Sequence, residues 1–224
     1  MRQRILSSFI ISVLLLASLA GAQAAAGRRC GGYYDDADQL ISSCTALIQE
    51  VGENSVLYQF YEKRGYAYFR KGDYERAIAD FDESVRRNAG APEAYSFRGV
   101  VYDAKGDYDR AIQDFDGAIG SYTTNANDLN LRGNAYRHKG DYDRAIRDYD
   151  QALELVSIHI DNVLPQIHAR FLNNRGLAKQ AKGDVAGANA DFAEAKQIDP
   201  LTQCSTSPKT VLMEQCFSSQ RAVK

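Results

Sequence analysis

Lys71-Gly72-Asp73-Tyr74-Glu75-Arg76-Ala77-Ile78 reads as the end of one helix, a tight turn and the start of another. Glycine supplies the left-handed stop, aspartate an N-cap carboxylate, and glutamate a first-turn charge that the helix dipole favours. The same words return as Lys105-Gly106-Asp107-Tyr108 and Lys139-Gly140-Asp141-Tyr142, then more weakly as Lys182-Gly183-Asp184-Val185. Ahead of each turn stands an Arg-Gly pair: Arg64-Gly65, Arg98-Gly99, Arg132-Gly133 and Arg175-Gly176. The intervals are 34, 34 and 43 residues, and 34 is the period of a helix–turn–helix solenoid.

Around the quoted turn, Tyr61, Gly65 and Tyr68, then Tyr74, Ala77, Ile78 and Phe81, fall at steps of three and four. They form one apolar face on each of two successive helices. Glycine inside a helix costs about 1 kcal/mol against alanine. Its return in all four first helices points to a close approach of the second helix. Arg64, Arg98, Arg132 and Arg175 have a matching series in Asp80, Asp114, Asp148 and Asp191, which predicts a recurring pair that specifies packing.

At this point the chain resembles the tetratricopeptide-repeat (TPR) family, on a small residue in the first helix and an alanine–aromatic–small series in the second. The alanines are Ala77, Ala111, Ala145 and Ala188, the aromatics Phe81, Phe115, Tyr149 and Phe192, and the small residues Ser84, Ala118, Ala152 and Ala195. The resemblance covers Tyr58–Ala91, Pro92–Asn125 and Ala126–His159 (together 58–159), then Ala169–Thr202, with the family's closing proline present only as Pro200. The chain departs from the family at the four arginines and at Lys179, where the other units carry Tyr68, Tyr102 and Tyr136. The resemblance implies an all-α, right-handed solenoid of four units that binds proteins and has no catalytic residues.

The remaining segments are read as ends and an insertion. Gly32–Ala37 aligns with Gly72–Ala77, so 25–57 reads as a half-repeat cap on an array end that otherwise exposes apolar surface. Ser207-Pro208 followed by Val211, Leu212, Gln215 and Cys216 predicts a short amphipathic helix within 203–224, a cap at the other end. The extra residues 160–168 contain Pro165 but no glycine-rich linker, which favours longer helices or an extended turn over a domain break.

Met1–Ala24 has two arginines, an apolar run from Ile5 to Ala20 and the cleavage pattern Ala22-Gln23-Ala24, as a secretory signal peptide does; a cut after Ala26 is the alternative. Its removal takes away two arginines and no acid, moving the formal charge from −2 to −4. The expected product is periplasmic or secreted, without a stable membrane anchor. Export makes disulfides available, and local pairing predicts Cys30 with Cys44 and Cys204 with Cys216 among three possible connectivities. The competing reading leaves Cys44 and Cys216 as buried apolar residues beside free Cys30 and Cys204.

No basic block is long enough to follow a phosphate backbone, so nucleic acid is not an expected partner. Nucleophile-elbow, phosphate-loop and zinc-site patterns are missing, and no cofactor or metal is expected. The expected function is a non-catalytic protein-interaction scaffold of the cell envelope, with self-assembly through the array ends, or an enzyme with an unrecognised site, as alternatives. Residues facing away from the packing stripe on the first helices give a candidate peptide groove. They are Asn127, Asn130, Asn134 and Arg137 or His138 in the third unit, and Arg170 and Asn173 in the fourth. Tyr66 and Phe69 are the expected apolar anchors in the first unit, beside an acidic surface that includes Glu62. Asparagine amides both donate and accept, which suits them to an extended main chain.

Overall fold

The computed structural model describes Cys30 and residues 36–51, 56–120, 125–158 and 165–199. The proposed signal peptide, the Cys204–Cys216 pair and the C-terminal cap lie outside these residues, as does Pro200. The described residues form nine helices: α1 (Ala37–Val51), α2 (Leu57–Arg70), α3 (Tyr74–Arg87), α4 (Pro92–Lys105), α5 (Tyr108–Ile119), α6 (Ala126–Lys139), α7 (Tyr142–Ile158), α8 (Pro165–Lys182) and α9 (Val185–Ile198). The fold is all-α. The pairs α2/α3, α4/α5, α6/α7 and α8/α9 are the four repeats. They divide into two compact units, Met1–Thr124 and Asn125–Lys224.

Each turn is built as its residues dictate. Gly72, Gly106, Gly140 and Gly183 have φ of 76°, 82°, 87° and 98°, the left-handed region in which a Cβ is costly. The side chain of Asp73 accepts from the Arg76 N–H, and Asp184 does the same for Gly187. A second lock sits on the first three turns. The guanidinium of Arg76 donates to Asp73 and lies 4.5 Å from the Tyr68 ring; Arg110 and Arg144 repeat this with Asp107 and Tyr102, and with Asp141 and Tyr136.

The helices of a pair meet where the recurring glycine lies under the aromatic of the second helix. A Cβ on Gly99 would stand 2.7 Å from Phe115, and one on Gly133 2.7 Å from Tyr149. The recurring pair of charges bridges the same two helices. Arg64 reaches Asp80 through Nε (2.8 Å) and Nη2 (2.7 Å), and Arg98–Asp114, Arg132–Asp148 and Arg175–Asp191 repeat this two-bonded geometry. The hydrogen bond to Asp80 raises the Arg64 guanidinium above its ordinary value, while burial raises the Asp80 carboxyl against the lowering by Arg64. The third guanidinium nitrogen ties a repeat to its predecessor: Arg98 to Asp82, Arg175 to Asp150, and Arg64 to the Thr45 hydroxyl of α1.

In the first unit, α1 behaves as the expected half-repeat. Asp36 caps it, accepting from the N–H groups of Asp38 and Gln39. Cys44, in the column of Ser84, is fully buried with Leu40 and Cys30 against Ala67 of α2. Leu40 takes the column of Asp80, and it is apolar because no arginine of a preceding first helix stands there among the described residues. Cys30 and Cys44 form a disulfide with a Cα–Cα distance of 5.2 Å.

The insertion needs a changed boundary. α7 runs 17 residues and α8 18, against 14 in α2, α4 and α6, so residues 165–168, assigned from sequence to the insertion, are the first turn of α8. Pro165 opens that helix, where its missing N–H costs no intrahelical bond.

Candidate functional site

The groove residues of the second unit lie on α6 and α8, and the structure divides them. Asn127 is exposed and accepts from Arg170 Nη2 at 3.1 Å. Arg137, Arg170 and Asn173 are half-buried. Asn130 and Asn134, by contrast, are 2% and 6% exposed and engaged inside the unit. Asn130 Oδ1 accepts from Asn174 Nδ2 at 2.8 Å, which joins α6 to α8, and Asn134 Oδ1 accepts from the Tyr149 hydroxyl at 2.8 Å. The expectation that these two amides face a bound main chain is therefore corrected. α8 packs over that row of α6, and a buried amide is retained where it has a partner.

The Asn134–Tyr149 pair had a signal in the repeat columns. Tyr149 stands where the other repeats have phenylalanine, and Asn134 where they have Tyr66, Val100 and Leu177. A hydroxyl entering an apolar column must find an acceptor, and the amide supplies it.

What remains accessible on α6 and α8 is amide and cationic. The sole acid in the two helices, Asp128, is buried, whereas Asn127 and His138 are exposed. Arg137 Nη2 lies 3.0 Å from His138 Nε2, and Arg137 Nε is buried without a hydrogen-bond partner among the described residues.

In the first unit, Tyr66 and Phe69 are half-buried. The Tyr66 ring lies 6.0 Å from Phe97 and 6.0 Å from the Arg70 guanidinium, and Phe69 lies 5.9 Å from Tyr74. Both rings pack against the core around Ala77, Phe81 and Val101, so only part of each meets water. Glu62 is not the acidic surface its position predicts. It is 6% exposed and accepts from the Ser84 hydroxyl at 3.0 Å. Burial pushes its carboxyl above the ordinary 4.5, against the lowering by Ser84, and nearby Glu93 pushes the same way.

Two tetratricopeptide-repeat family models match the chain, one over residues 62–126 and one over 126–156. Residues 62–156 of this chain carry tetratricopeptide repeats. No curated protein matches it by sequence. Among solved structures, this TPR chain is similar to MamA from Desulfovibrio magneticus RS-1, with 16% identity and a TM-score of 0.66 over 84% of this chain and 97% of that one. It is also similar to a TPR protein from Parabacteroides merdae ATCC 43184, with 16% identity and a TM-score of 0.66 over 81% and 68% of the two chains. A third similar structure is BtubC from P. vanneervenii, with 18% identity and a TM-score of 0.62 over 86% and 92%. These likenesses support the fold. TPR arrays are an architecture of protein–protein interaction, and in this TPR chain no described helix is long and apolar enough to cross a membrane.

Proposed function

We propose that this TPR chain is an exported, non-catalytic scaffold that holds an extended polypeptide segment of a partner on the first-helix face of its second unit. The observation that carries this reading is Arg137, whose buried Nε has no acceptor among the described residues. A desolvated guanidinium N–H is costly to leave unmatched, and a carbonyl or carboxylate of a bound segment supplies the match. Asn127, Arg170 and Asn173 stand on the same two helices and offer further donors. In the first unit, the exposed parts of Tyr66 and Phe69 are an apolar surface for the same or another partner.

Export is supported by the signal-peptide pattern of Met1–Ala24 and by the Cys30–Cys44 disulfide, a bond that persists in oxidising compartments. A non-catalytic role is supported by the placement of the carboxylates, many of which pair in register with arginines. Among the described residues, no three of His, Cys, Asp and Glu are grouped as a metal site needs.

The test is capture of partners from an envelope extract by the full chain, with variants compared at equal loading. An Arg137→Ala, Asn173→Ala double variant should keep the wild-type melting temperature within about 2 °C and lose most capture, each missing hydrogen bond contributing about 0.5–1.5 kcal/mol. Undiminished capture by that variant, with loss in Tyr66→Ala, Phe69→Ala, would move the site to the first unit. Undiminished capture by both would refute first-helix recognition.

A further inference from the structure

We infer that Glu62 is a binding site for one ammonium group, the end of a lysine side chain of a partner polypeptide, in the first unit. Two residues of the first repeat leave their columns together. Glu62 stands where the other repeats have Ser96, Asn130 and Asn173, and Ser84 stands where they have alanine. The fully buried Ser84 hydroxyl donates to Glu62 Oε1, and no other donor reaches this carboxyl among the described residues. Oε2 is left without a hydrogen bond.

The other buried acids of the first unit, Asp80 and Asp114, each accept two bonds from an arginine. Glu62 has no ion-pair partner among the described residues. Lys63 follows it on α2, but Glu93 of α4 raises the Glu62 carboxyl by more than Lys63 lowers it, so the charge around the site favours a further cation. Arg70, two turns further along α2, lies over the Tyr66 ring. A buried hydroxyl needs only a neutral acceptor, and the Tyr149 hydroxyl has one in the Asn134 amide. A carboxylate in that role is costlier to bury, and a cation brought by a ligand relieves the cost.

The unmatched oxygen decides which cation fits. A guanidinium fork takes both oxygens of a carboxylate, as Arg64 takes those of Asp80, and Oε1 of Glu62 is already engaged by Ser84. An ammonium is a compact charge for which one oxygen suffices. Tyr66, one turn beyond Glu62 and 6.0 Å from Phe97, offers a ring along which a four-carbon stem can lie. Glu93, exposed in the first turn of α4, adds a second negative charge. The inference rests on the chain being a polypeptide-binding scaffold, but not on the Arg137 site of the second unit.

Three heptapeptide pools test this, with lysine, arginine or norleucine fixed at the centre and mixed residues elsewhere, passed over the immobilised full chain at pH 7. The wild type should retain the lysine pool about tenfold more than the norleucine pool, and more than the arginine pool. Glu62→Gln keeps an acceptor for Ser84 and removes the charge; it should abolish the preference without lowering the melting temperature. Glu194→Gln, which removes an exposed carboxylate of α9, should keep the preference. The Arg137→Ala, Asn173→Ala variant should keep it too, because loss of the second-unit site lowers all pools alike and leaves their ratio. Equal retention of lysine and norleucine pools would overturn the inference, as would a lysine preference that survives Glu62→Gln or is lost equally in Glu194→Gln. An arginine preference that depends on Glu62 would overturn the assignment to an ammonium group.

Discussion

The first and fourth repeats share one skeleton and differ in how their turns are locked. Both keep the glycine under the aromatic, the arginine–aspartate bridge and the left-handed glycine of the turn. In the first, Arg76 lies over Tyr68 and holds the capping Asp73. In the fourth, Lys179 replaces that tyrosine and Gly187 that arginine, and Lys179 turns instead to Asp191, already held by Arg175. The two replacements belong together: an arginine at 187 would have no ring to lie on, and a tyrosine at 179 no cation. What is constant in the repeat is what joins its two helices, and what varies is how the turn is finished.

The largest expected effect tests the shared carboxylate. Asp191→Ala leaves both Arg175 and Lys179 without their common acceptor, whereas Asp80→Ala strands Arg64 alone. Breaking a buried pair costs about 3–5 kcal/mol. Asp191→Ala should fall at the upper end and Asp80→Ala at or below the lower, read from urea midpoints. Equal losses would show that the second cation adds nothing.

The glycines come next. A Cβ at Gly176 meets Phe192 at 2.5 Å and one at Gly99 meets Phe115 at 2.7 Å, yet Phe115 is fully enclosed and Phe192 is not. Overpacking costs about 1–3 kcal/mol where the neighbour cannot move. Gly99→Ala should therefore destabilise by that amount and Gly176→Ala by less than about 1 kcal/mol, since helix propensity returns part of the strain. The reverse order in thermal melts would mean that Phe192 is as confined as Phe115.

A third, smaller effect isolates Glu62, in a position where the fourth repeat has Asn173. Its folded carboxyl titrates above the unfolded one because burial disfavours the charge. The proton is thus bound more tightly in the folded chain, and this contribution is present below pH 4.5 and is lost as pH rises through the raised value. Glu62→Gln should flatten that loss and raise the melting temperature at pH 7 by up to about 4 °C, with no gain at pH 4. A gain of equal size at both pH values would assign the effect to packing.

The smallest effect is the turn lock itself. Gly187→Arg alone and Lys179→Tyr alone should each lower stability slightly. The double variant should recover part of the loss, a coupling seen as non-additive melting temperatures. Strict additivity would separate the two positions.

These contrasts mark what could be read in the sequence. The period, the turns, the buried glycines, the four arginine–aspartate pairs and the Cys30–Cys44 link are local or strictly periodic, so residue columns expose them. The groove was less legible because facing away from a helix's own partner is not the same as facing water. Asn130, Asn134 and Glu62 all satisfy the first condition and fail the second, since the second helix of the repeat and the next first helix cover them. That covering depends on how successive repeats pack, which no single column encodes.

The four arginine–aspartate bridges carry a cost in information. Each is spaced 16 residues apart and chemically the same, so during folding an arginine gains as much from a neighbouring repeat's aspartate as from its own. Sixteen residues of chain close faster than the fifty that separate Arg64 from Asp114, and loop length favours the correct partner only weakly. Identity must come from the residues that break the period. The Tyr149 hydroxyl finds an amide at Asn134, where the other repeats offer Tyr66, Val100 or Leu177. Asn174 donates to Asn130, a pairing of amides that the described residues of the first unit do not repeat. The irregular amides act as addresses, telling otherwise interchangeable helices which neighbour is theirs.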